Sequence, residues 1–358
     1  MRILITGNLG YIGPSVTRRL RTRYPGGTLV GLDAGYFAHC LTNATSAPEA
    51  DLDVQFFGDV RHPPADVLNG IDAVVHLAAI SNDPMGHAYE GATFDVNFRA
   101  SVDLATRAKA AGARAFVFAS SCSVYGSSAE GARNELAAIN PLTAYAQTKV
   151  LAEQGVAELA SPEFVVTCLR FATACGFSDR LRLDLVLNDF VASAIATGRI
   201  TVLSDGSPWR PLIHVSDMAR AIEWAIERTD ECGGVHATVN AGSDEWNYRV
   251  RDLAYSVAAA IPDVDVSINR DAQPDKRSYR VDFSRFRQLA PDHQPQTTLM
   301  EAIDELRHGL EAMKFEDADF RSSSFMRLHV LNELQSRGLL SETLEWKSKH
   351  VPESALVA

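Results

Sequence analysis

Short apolar runs alternate along the first half of the chain with amphipathic stretches of helical length. The runs occupy residues 3–5, 28–30, 54–57, 73–75, 116–118 and 164–167. Runs that are apolar on both faces and separated by helices are typical of a parallel sheet covered on both sides. The pattern therefore predicts an α/β protein whose residues 1–175 form a Rossmann-type, doubly wound parallel sheet.

The alternation changes after about Gly176. A polar, arginine-rich passage is followed by a helix-like stretch at 185–197 and a short strand at 200–203, which together predict a smaller mixed α/β lobe. We assign residues 176–211 and 243–314 to this lobe. Residues 235–240 read as a strand that returns to the first sheet, so a segment near 212–242 belongs to the first domain. Residues 315–358 are predicted to form a helical tail, to which the sequence assigns no function.

Composition narrows the classes of partner. The chain has 358 residues, 46% of them hydrophobic, and a formal net charge of -11, which disfavours binding to nucleic acid or to an anionic membrane surface. No apolar stretch approaches the roughly 18 residues of a membrane span, so we expect a cytoplasmic protein. Five scattered cysteines without CxxC spacing suggest neither a disulfide framework nor a metal site.

The first loop carries a nucleotide-binding pattern. Gly7, Gly10 and Gly13 follow the first strand and precede a helix-like stretch, and Tyr11 and Ile12 lie between the last two glycines. This spacing allows a tight turn, close approach to a pyrophosphate and helix packing. Asp33 ends the second strand, where a carboxylate would hold ribose hydroxyls and repel a 2′-phosphate, so NAD is favoured over NADP. The alternative is a plain turn with a surface acid.

Tyr145 and Lys149 stand four residues apart on a probable helix, which places both on one face. A nearby ammonium and an oxidised nicotinamide could together lower the pKa of the tyrosine, ordinarily about 10, enough for it to act as a base. The alternative is that both side chains are exposed on a solvated helix and have no catalytic role. A second polar cluster, SSCSVYG at residues 120–126, follows a buried strand. Its position suggests that the reaction takes place at this end of the strand.

Taken together, these motifs resemble those of the extended short-chain dehydrogenase/reductase superfamily, in its nucleotide-sugar epimerase/dehydratase branch. The matching pieces, in chain order, are the glycine loop with Asp33, Asp59-Val-Arg61, His76-Leu-Ala-Ala79, Asn97, the SSCSVYG stretch, Tyr145 with Lys149, Leu169-Arg170, Asp205-Gly206, Arg210-Pro-Leu-Ile-His214 with Asp217, and Asn240-Ala-Gly242.

The resemblance implies roles for residues around the cofactor. Tyr145 would be the base, Ser121 its partner on the substrate oxygen, and Lys149 would hold the nicotinamide ribose. The remaining cofactor contacts that it implies are Asp59 and Val60 beside the adenine, together with Leu77, Ala78, Ala79, Asn97 and Ser120.

The resemblance also implies a nucleotide-diphosphate sugar as substrate. Arg210 would bind the diphosphate, with Asn188 and Arg277 as further candidates, although Arg277 could equally be a surface charge. Thr173 stands where many relatives have an asparagine that contacts the sugar phosphate. Ser81 lies where a substrate loop is expected, but a capped turn explains it as well.

Residues 121–123 bear on the type of reaction. Relatives that carry out 4,6-dehydration have Thr-Asp-Glu there, and relatives that decarboxylate keep the glutamate, whereas this chain has Ser121-Cys-Ser123. Both reactions are therefore disfavoured. The Cys122 thiol is a candidate acid or base, and the alternative is a small buried residue chosen for packing.

We therefore expect a redox-neutral epimerase that oxidises the sugar at C4 and returns the hydride to the other face. A nucleotide keto-sugar reductase, or a Cys122-assisted 3- or 5-epimerase or another enolising enzyme, is the alternative. A non-catalytic NAD-binding sensor is the alternative of another class. The resemblance also implies a homodimer formed through helices near residues 97–111 and 143–160.

Overall fold

The computed structural model describes residues 1–42, 44–127, 131–272 and 277–347. Its strands are β1 (Arg2–Thr6), β2 (Thr28–Asp33), β3 (Val54–Phe57), β4 (Ala73–His76), β5 (Ala115–Ser121), β6 (Ala132–Arg133), β7 (Val165–Phe171), β8 (Thr173–Cys175), β9 (Arg199–Val202), β10 (Trp209–His214), β11 (His236–Ala241), β12 (Asn247–Arg249), β13 (Asp265–Ile268) and β14 (Arg280–Val281). The α-helices are α1 (Gly13–Arg23), α2 (Asp83–Ala88), α3 (Glu90–Phe94), α4 (Ala100–Ala110), α5 (Ala144–Ala157), α6 (Val186–Thr197), α7 (Val215–Glu227), α8 (Val250–Ala260), α9 (Ser284–Leu289), α10 (Leu299–Ala312) and α11 (Arg327–Ser336). Short 3-10 helices span Pro48–Asp51, Cys122–Tyr125, Asp244–Trp246, Pro291–His293 and Phe320–Ser322, and a π-helical turn spans Asp95–Arg99.

Seven strands form one parallel sheet in the order β11-β7-β5-β4-β1-β2-β3. Side chains alternate between its faces along each strand, as the pleat requires. In β1, Ile3 and Ile5 pack in one buried cluster with α1 and α7, whereas Leu4 packs in another with α4 and α5. Helices therefore cover both faces, and the predicted doubly wound fold is confirmed.

The remaining strands lie outside this sheet. β10 pairs with β8 and β12, and β9 pairs with β13. Helices α6, α8 and α10 bury a separate apolar cluster beside them, which includes Leu187, Leu253 and Leu306. Of the segment predicted to return to the first sheet, β11 does so beside β7, whereas β10 belongs to the three-stranded sheet. The domain limits themselves stay a prediction.

Helix ends follow local sequence signals. α1 carries Pro14 in its first turn, α5 starts from an N-cap Thr143 whose side chain accepts from the Ala146 N–H, and α6 ends at Gly198 in the left-handed conformation. None of the described helices is long and apolar enough to cross a bilayer.

The predicted tail is helical over Phe320–Ser322 and α11, and its last residues, 348–358, lie outside the described part of the chain. Beyond α11, residues 337–347 run back toward the ends of β2 and β3. Side chains of α11 and of this segment, including Leu331, Leu340 and Leu344, are buried against Met85 and Tyr89.

Candidate active site

The carboxyl ends of the parallel strands meet at one edge of the large sheet. Register places Thr6 of β1 between Leu32 of β2 and His76 of β4, and pairs His76 with Phe118 of β5. The residues that follow each strand therefore converge on the crevice where open α/β sheets bind ligands.

A cleft of about 980 Å³ opens at this edge. Its lining includes ten of the predicted cofactor residues, namely Gly7, Gly10, Tyr11, Ile12, Asp33, Asp59, Val60, Leu77, Ala78 and Ala79. It also includes residues that the sequence did not single out, among them Tyr36, Phe37, Arg182, Arg327, Leu331 and Leu344.

The glycine loop fits a nucleotide because its backbone can approach the neighbouring strand end. Gly7 has φ 73°, and a Cβ there would lie 2.6 Å from the Ala78 nitrogen. A Cβ on Gly13 would lie 1.9 Å from the Asn8 carbonyl oxygen, so this glycine allows the start of α1 to pack and does not itself line the cleft. Ile12 provides no side-chain cap for the first amides of α1, which suits these N–H groups to an anionic pyrophosphate.

Asp33 presents a half-buried carboxylate to the same cleft. It accepts hydrogen bonds from the Leu9 N–H (3.0 Å) and the Gly35 N–H (2.7 Å). Burial nevertheless raises its pKa to about 6. Asp33 therefore lies in the cleft, and its contact with the hydroxyls of an adenosine ribose stays a prediction.

Asn97 does not line the cleft, and its predicted direct contact with the cofactor is corrected. Its side chain donates to the Ile80 carbonyl (3.0 Å) and accepts from the Ile80 N–H (2.8 Å). The fully buried amide thus braces the loop after β4 that carries Ala78 and Ala79.

A second cleft, of about 1,580 Å³, continues from the first. The two share Tyr11, Ile12, Leu77, Ala79, Ser81 and Arg182 in their linings. The second also contains the predicted catalytic and substrate residues Ser121, Tyr145, Lys149, Thr173, Arg210 and Arg277, and Ser120, which was predicted to contact the cofactor. Its position next to the cofactor cleft suits a substrate.

Tyr145, Lys149 and Ser121 come together in this second cleft. The Lys149 Nζ lies 5.7 Å from the centroid of the Tyr145 ring and donates to the Ala119 carbonyl at 2.7 Å. Burial lowers the pKa of Lys149 to about 8. Burial raises the pKa of Tyr145 to about 12, and a hydrogen bond with the Ser121 hydroxyl opposes that rise. The net shift of the Tyr145 pKa in the protein alone is therefore upward, and the downward shift that the sequence predicted from Lys149 and an oxidised nicotinamide is not seen.

A buried ionic network supports the strand end that carries the serines. Glu153 accepts from the Ser120 hydroxyl at 2.5 Å and from the Arg170 guanidinium at 2.7 Å. Arg170 Nη1 also contacts the Tyr125 hydroxyl at 3.1 Å, and this hydroxyl donates to Asn240 at 2.7 Å. Ser120 is thus held by a carboxylate that the sequence analysis did not single out, although Glu153 follows Lys149 by one helical turn.

The Cys122 thiol points away from both clefts. It is 1% exposed, packs in the apolar cluster against α7 and donates to the Arg170 carbonyl at 3.1 Å. Burial raises its pKa well above the ordinary value for a thiol. The catalytic assignment of Cys122 is corrected in favour of packing, because a thiol in this position neither faces a substrate nor ionises readily.

Two arginines at the substrate cleft are tied to acids. Arg277 Nη1 donates to Asp83 at 2.7 Å, and Arg182 Nε donates to Asp184 at 2.8 Å. Arg182 Nη1 also donates to the Ser81 hydroxyl at 2.8 Å, so Ser81 is a cleft residue. The capped turn considered for this stretch also exists, but the neighbouring Asn82 provides the cap.

Asn188 does not reach the substrate cleft, and its predicted contact with the substrate is corrected. Its amide is fully buried, donates to the Tyr11 hydroxyl (3.0 Å) and to the Arg182 carbonyl (2.9 Å), and accepts from the Gly176 N–H (3.1 Å). It therefore positions two lining residues from behind. His214 bridges Ser216 and Glu305 away from both clefts, so its role is structural.

Comparison with known proteins identifies the family. The model of the NAD dependent epimerase/dehydratase family matches residues 3–242. This chain belongs to that family. Membership confirms the resemblance drawn from the motifs, and with it an NAD-dependent enzyme of the epimerase/dehydratase type, and it disfavours the sensor alternative.

Curated relatives of this epimerase/dehydratase chain include more than one activity. The UDP-glucose 4-epimerase of Mycolicibacterium smegmatis is 29% identical over 318 residues, which cover 85% of this chain and 96% of the relative. UDP-glucuronic acid decarboxylase 1 of Arabidopsis thaliana is 26% identical over 352 residues, which cover 95% of this chain and 73% of the relative.

Solved structures show the same fold. A UDP-glucose-4-epimerase from Stenotrophomonas maltophila, with bound NAD and formylated UDP-arabinopyranose, matches with TM-score 0.74 and 24% identity over 88% of this chain and 99% of its own. An NDP-hexosamine 5,6-dehydratase of tunicamycin biosynthesis matches with TM-score 0.74 and 22% identity over the same shares.

Proposed function

We propose that this chain is a nucleotide-sugar 4-epimerase that oxidises its substrate transiently and returns the same hydride. The observation that carries the proposal is the convergence of Tyr145, Ser121 and Lys149 in a cleft that is continuous with the cofactor cleft. This constellation can remove an alcohol proton and restore it. Such a cycle consumes no cofactor.

The residues act on one oxygen of the sugar. Tyr145 takes the proton of the C4 hydroxyl in its phenolate form, which the positive charge of bound, oxidised nicotinamide would favour against the rise that burial causes, and Ser121 donates a hydrogen bond to the same oxygen. NAD, which the glycine loop and Asp33 would hold, would supply the acceptor for the C4 hydride and the source of its return. The keto-sugar turns within the cleft, and Tyr145 then gives its proton back to the oxygen, so that only the configuration at C4 has changed.

The acids of the cleft explain why elimination and decarboxylation are less favoured. Among the described lining residues, the carboxylates are Asp83 and Asp184, and an arginine binds each of them. Ser123 lines the cleft but has no carboxylate, and Cys122 is turned into the core. We find no carboxylate in this described lining that is free to protonate a leaving hydroxyl.

A sugar linked to a nucleotide diphosphate is the substrate we propose. Arg210 and Arg277 line the end of the cleft formed with β10 and the segment before β14, and guanidinium groups suit diphosphate oxygens. The named epimerase relatives act on UDP-glucose, which makes UDP-hexoses the first sugars to try. We also propose that the chain acts in the cytoplasm and as a homodimer, as the sequence predicted.

The test is an incubation of purified protein with UDP-, dTDP- and GDP-hexoses in deuterated water, without added cofactor. We expect a C4 epimer that contains no carbon-bound deuterium, while absorbance at 340 nm stays constant. Deuterium at C3 or C5 would show an enolising enzyme instead. Turnover only with added NADH or NADPH would show a keto-sugar reductase. Either result overturns the epimerase proposal.

A further inference from the structure

The C-terminal segment forms one wall of the cofactor cleft. We call residues 327–347 the C-terminal strap. Arg327, Leu331 and Leu344 of the strap line the same cleft as Gly7 and Asp33. These strap residues lie outside the region that the family model matches, which ends at residue 242.

Hydrogen bonds fasten the end of the strap to the loops after β2 and β3. Trp346 Nε1 donates to the Ala34 carbonyl at 2.6 Å, and the Tyr36 hydroxyl donates to the Leu344 carbonyl. Arg61, next to Val60 of the cofactor cleft, donates from Nη1 to the Thr343 carbonyl at 2.7 Å. The strap is thus attached to both loops that line the Asp33 side of the cleft.

An apolar seam holds the helical part of the strap. Val330, Leu331 and Leu334 of α11 are nearly or fully buried against Cys40, Ile80, Met85 and Tyr89. Since Ile80 follows Ala78 and Ala79 directly, this seam joins the strap to the loop that lines the cofactor cleft on the other side.

Arg327 brings a buried positive charge to this wall. Its side chain is 1% exposed and its guanidinium lies 4.9 Å from the centroid of the Phe37 ring. It donates to backbone carbonyls, at 2.8 Å to Arg180 and 3.0 Å to Ser324. Within residues 1–42, 44–127, 131–272 and 277–347, no carboxylate forms an ion pair with it.

A buried cation without a carboxylate partner is costly. Burial lowers the pKa of Arg327 to about 10, so the guanidinium stays charged at neutral pH. The diphosphate is the anionic part of NAD, and it would offset this charge. A wall of the cleft that is apolar except for one positive charge is therefore better suited to contact a bound dinucleotide than to contact solvent.

We propose that the C-terminal strap is part of the NAD site, closing over the adenosine half of the cofactor while Arg327 supplies positive charge to the diphosphate. NAD then enters and leaves only when the strap lifts from the loops after β2 and β3. The cofactor is retained from one turnover to the next. This proposal concerns NAD binding alone and holds whichever sugar reaction the enzyme catalyses.

Two leucines of α11 provide a matched pair for the test. Leu331 lines the cofactor cleft and Leu334 does not, although both are buried in the same seam. Leu331→Ala and Leu334→Ala should lower the melting temperature by similar amounts. On NAD-stripped full-length protein, we expect Leu331→Ala to raise the Kd for NAD about tenfold and Leu334→Ala less than about threefold.

Release of bound NADH, followed by its fluorescence after mixing with excess NAD, should accelerate about tenfold in Leu331→Ala and less than about threefold in Leu334→Ala. Equal Kd values and release rates in Leu331→Ala and the unaltered protein would overturn the proposal. Equal changes in Leu331→Ala and Leu334→Ala would also overturn it, because the effect would then come from stability.

The role of the Arg327 charge is tested by comparing the Kd values of adenosine, which has no diphosphate, and of NAD. Arg327→Met should weaken NAD at least about tenfold and leave adenosine unchanged, whereas Leu331→Ala should weaken both. Arg327→Lys, which keeps the charge, should recover part of the NAD affinity. If Arg327→Met does not fold, Arg327→Lys is compared with the unaltered protein at rising salt. Unchanged NAD binding in the folded variants would exclude a contact between Arg327 and the diphosphate.

Discussion

The Lys149 ammonium donates to the Ala119 carbonyl at 2.7 Å, which fixes a charge from α5 against the last residues of β5. The same nitrogen lies 4.7 Å from the centroid of the Phe118 ring. The cation is therefore held in the cleft by groups that carry no full negative charge, and its protonation is easily lost. Burial lowers its pKa to about 8 for this reason.

The first prediction concerns this titration. The protonated, charged form of Lys149 prevails below its pKa, so kcat should be fully supported below about pH 8 and should fall as the pH rises through that value. The measurement is kcat between pH 6 and pH 10, with substrate and cofactor saturating. In Lys149→Arg the guanidinium stays charged throughout, so a weaker activity without the descending limb is expected. A decrease of kcat at the same pH in Lys149→Arg would show that another group is responsible for the titration.

Replacement of Tyr145 by phenylalanine removes the proposed base without changing the shape of the cleft. We expect kcat to fall about 10²- to 10⁴-fold, while the Kd for NAD measured by calorimetry changes little. Tyr279→Phe is the control, because Tyr279 lines the same cleft and is 7% exposed, and it should lose less than about tenfold. Retention of activity in Tyr145→Phe would disprove the assignment of the base.

The Asp33 carboxylate should make NAD binding dependent on pH. Its pKa is about 6, and only the ionised form, present above that pH, accepts two charge-assisted hydrogen bonds from a ribose diol. Affinity for NAD should therefore rise as the pH increases from 5 to 7. In Asp33→Asn the affinity should be lower and flat over this range. A slope that persists in Asp33→Asn would place the titrating group elsewhere.

Cys122→Ala tests whether the thiol has a chemical role. Because the thiol is buried and donates to the Arg170 carbonyl, we expect kcat within about threefold of the unaltered enzyme and a loss of stability of about 1–2 kcal/mol. Chemical denaturation measures the second quantity. A folded Cys122→Ala variant with a hundredfold lower kcat would restore the thiol to the catalytic group.

Glu153→Gln should destabilise the protein strongly. It leaves the guanidinium of Arg170 buried without its counter-charge, and both side chains of the pair are under a tenth exposed, so we expect a loss of about 3–5 kcal/mol in the free energy of unfolding. Asp95→Asn is the matched control, because it breaks an exposed pair with Arg99 and should cost less than about 1 kcal/mol. Similar losses in the two variants would contradict the role given to burial.

The sequence predicted the sheet and its catalytic edge because these depend on local patterns. Apolar runs such as 73–75 locate strands, and the residues after parallel strands share one edge, so the sequence alone predicts that Asp33, Ala78 and Ser121 lie near one another. The spacing of Tyr145 and Lys149 likewise fixes a common helix face.

Side-chain direction at strand ends was not predictable in the same way. Cys122 begins a 3-10 turn after β5, and such a turn breaks the alternation that would assign its face. Asn97 and Asn188 belong to motifs near the clefts, but their side-chain amides form hydrogen bonds with backbone groups of the protein. The sign of the Tyr145 shift depends on the sum of desolvation and charge, which requires the folded surroundings.

The strap was missed for another reason. Its contacts join Trp346 to Ala34 and Leu344 to Tyr36, residues far apart along the chain. No spacing rule connects such positions, and the helical pattern of α11 shows only that it packs against something. Its buried arginine is ambiguous in sequence because a surface helix would carry the same residue.

The strap also sets an order of assembly during synthesis. A ribosome makes the glycine loop and Asp33 early, whereas Arg327 and Leu344 emerge only after the whole of the large sheet and the second lobe. A nascent chain can therefore fold its sheet while its cofactor crevice still lacks one wall. On the proposal that the strap forms part of the NAD site, capture of NAD becomes a late event in the biogenesis of this enzyme and coincides with the docking of α11.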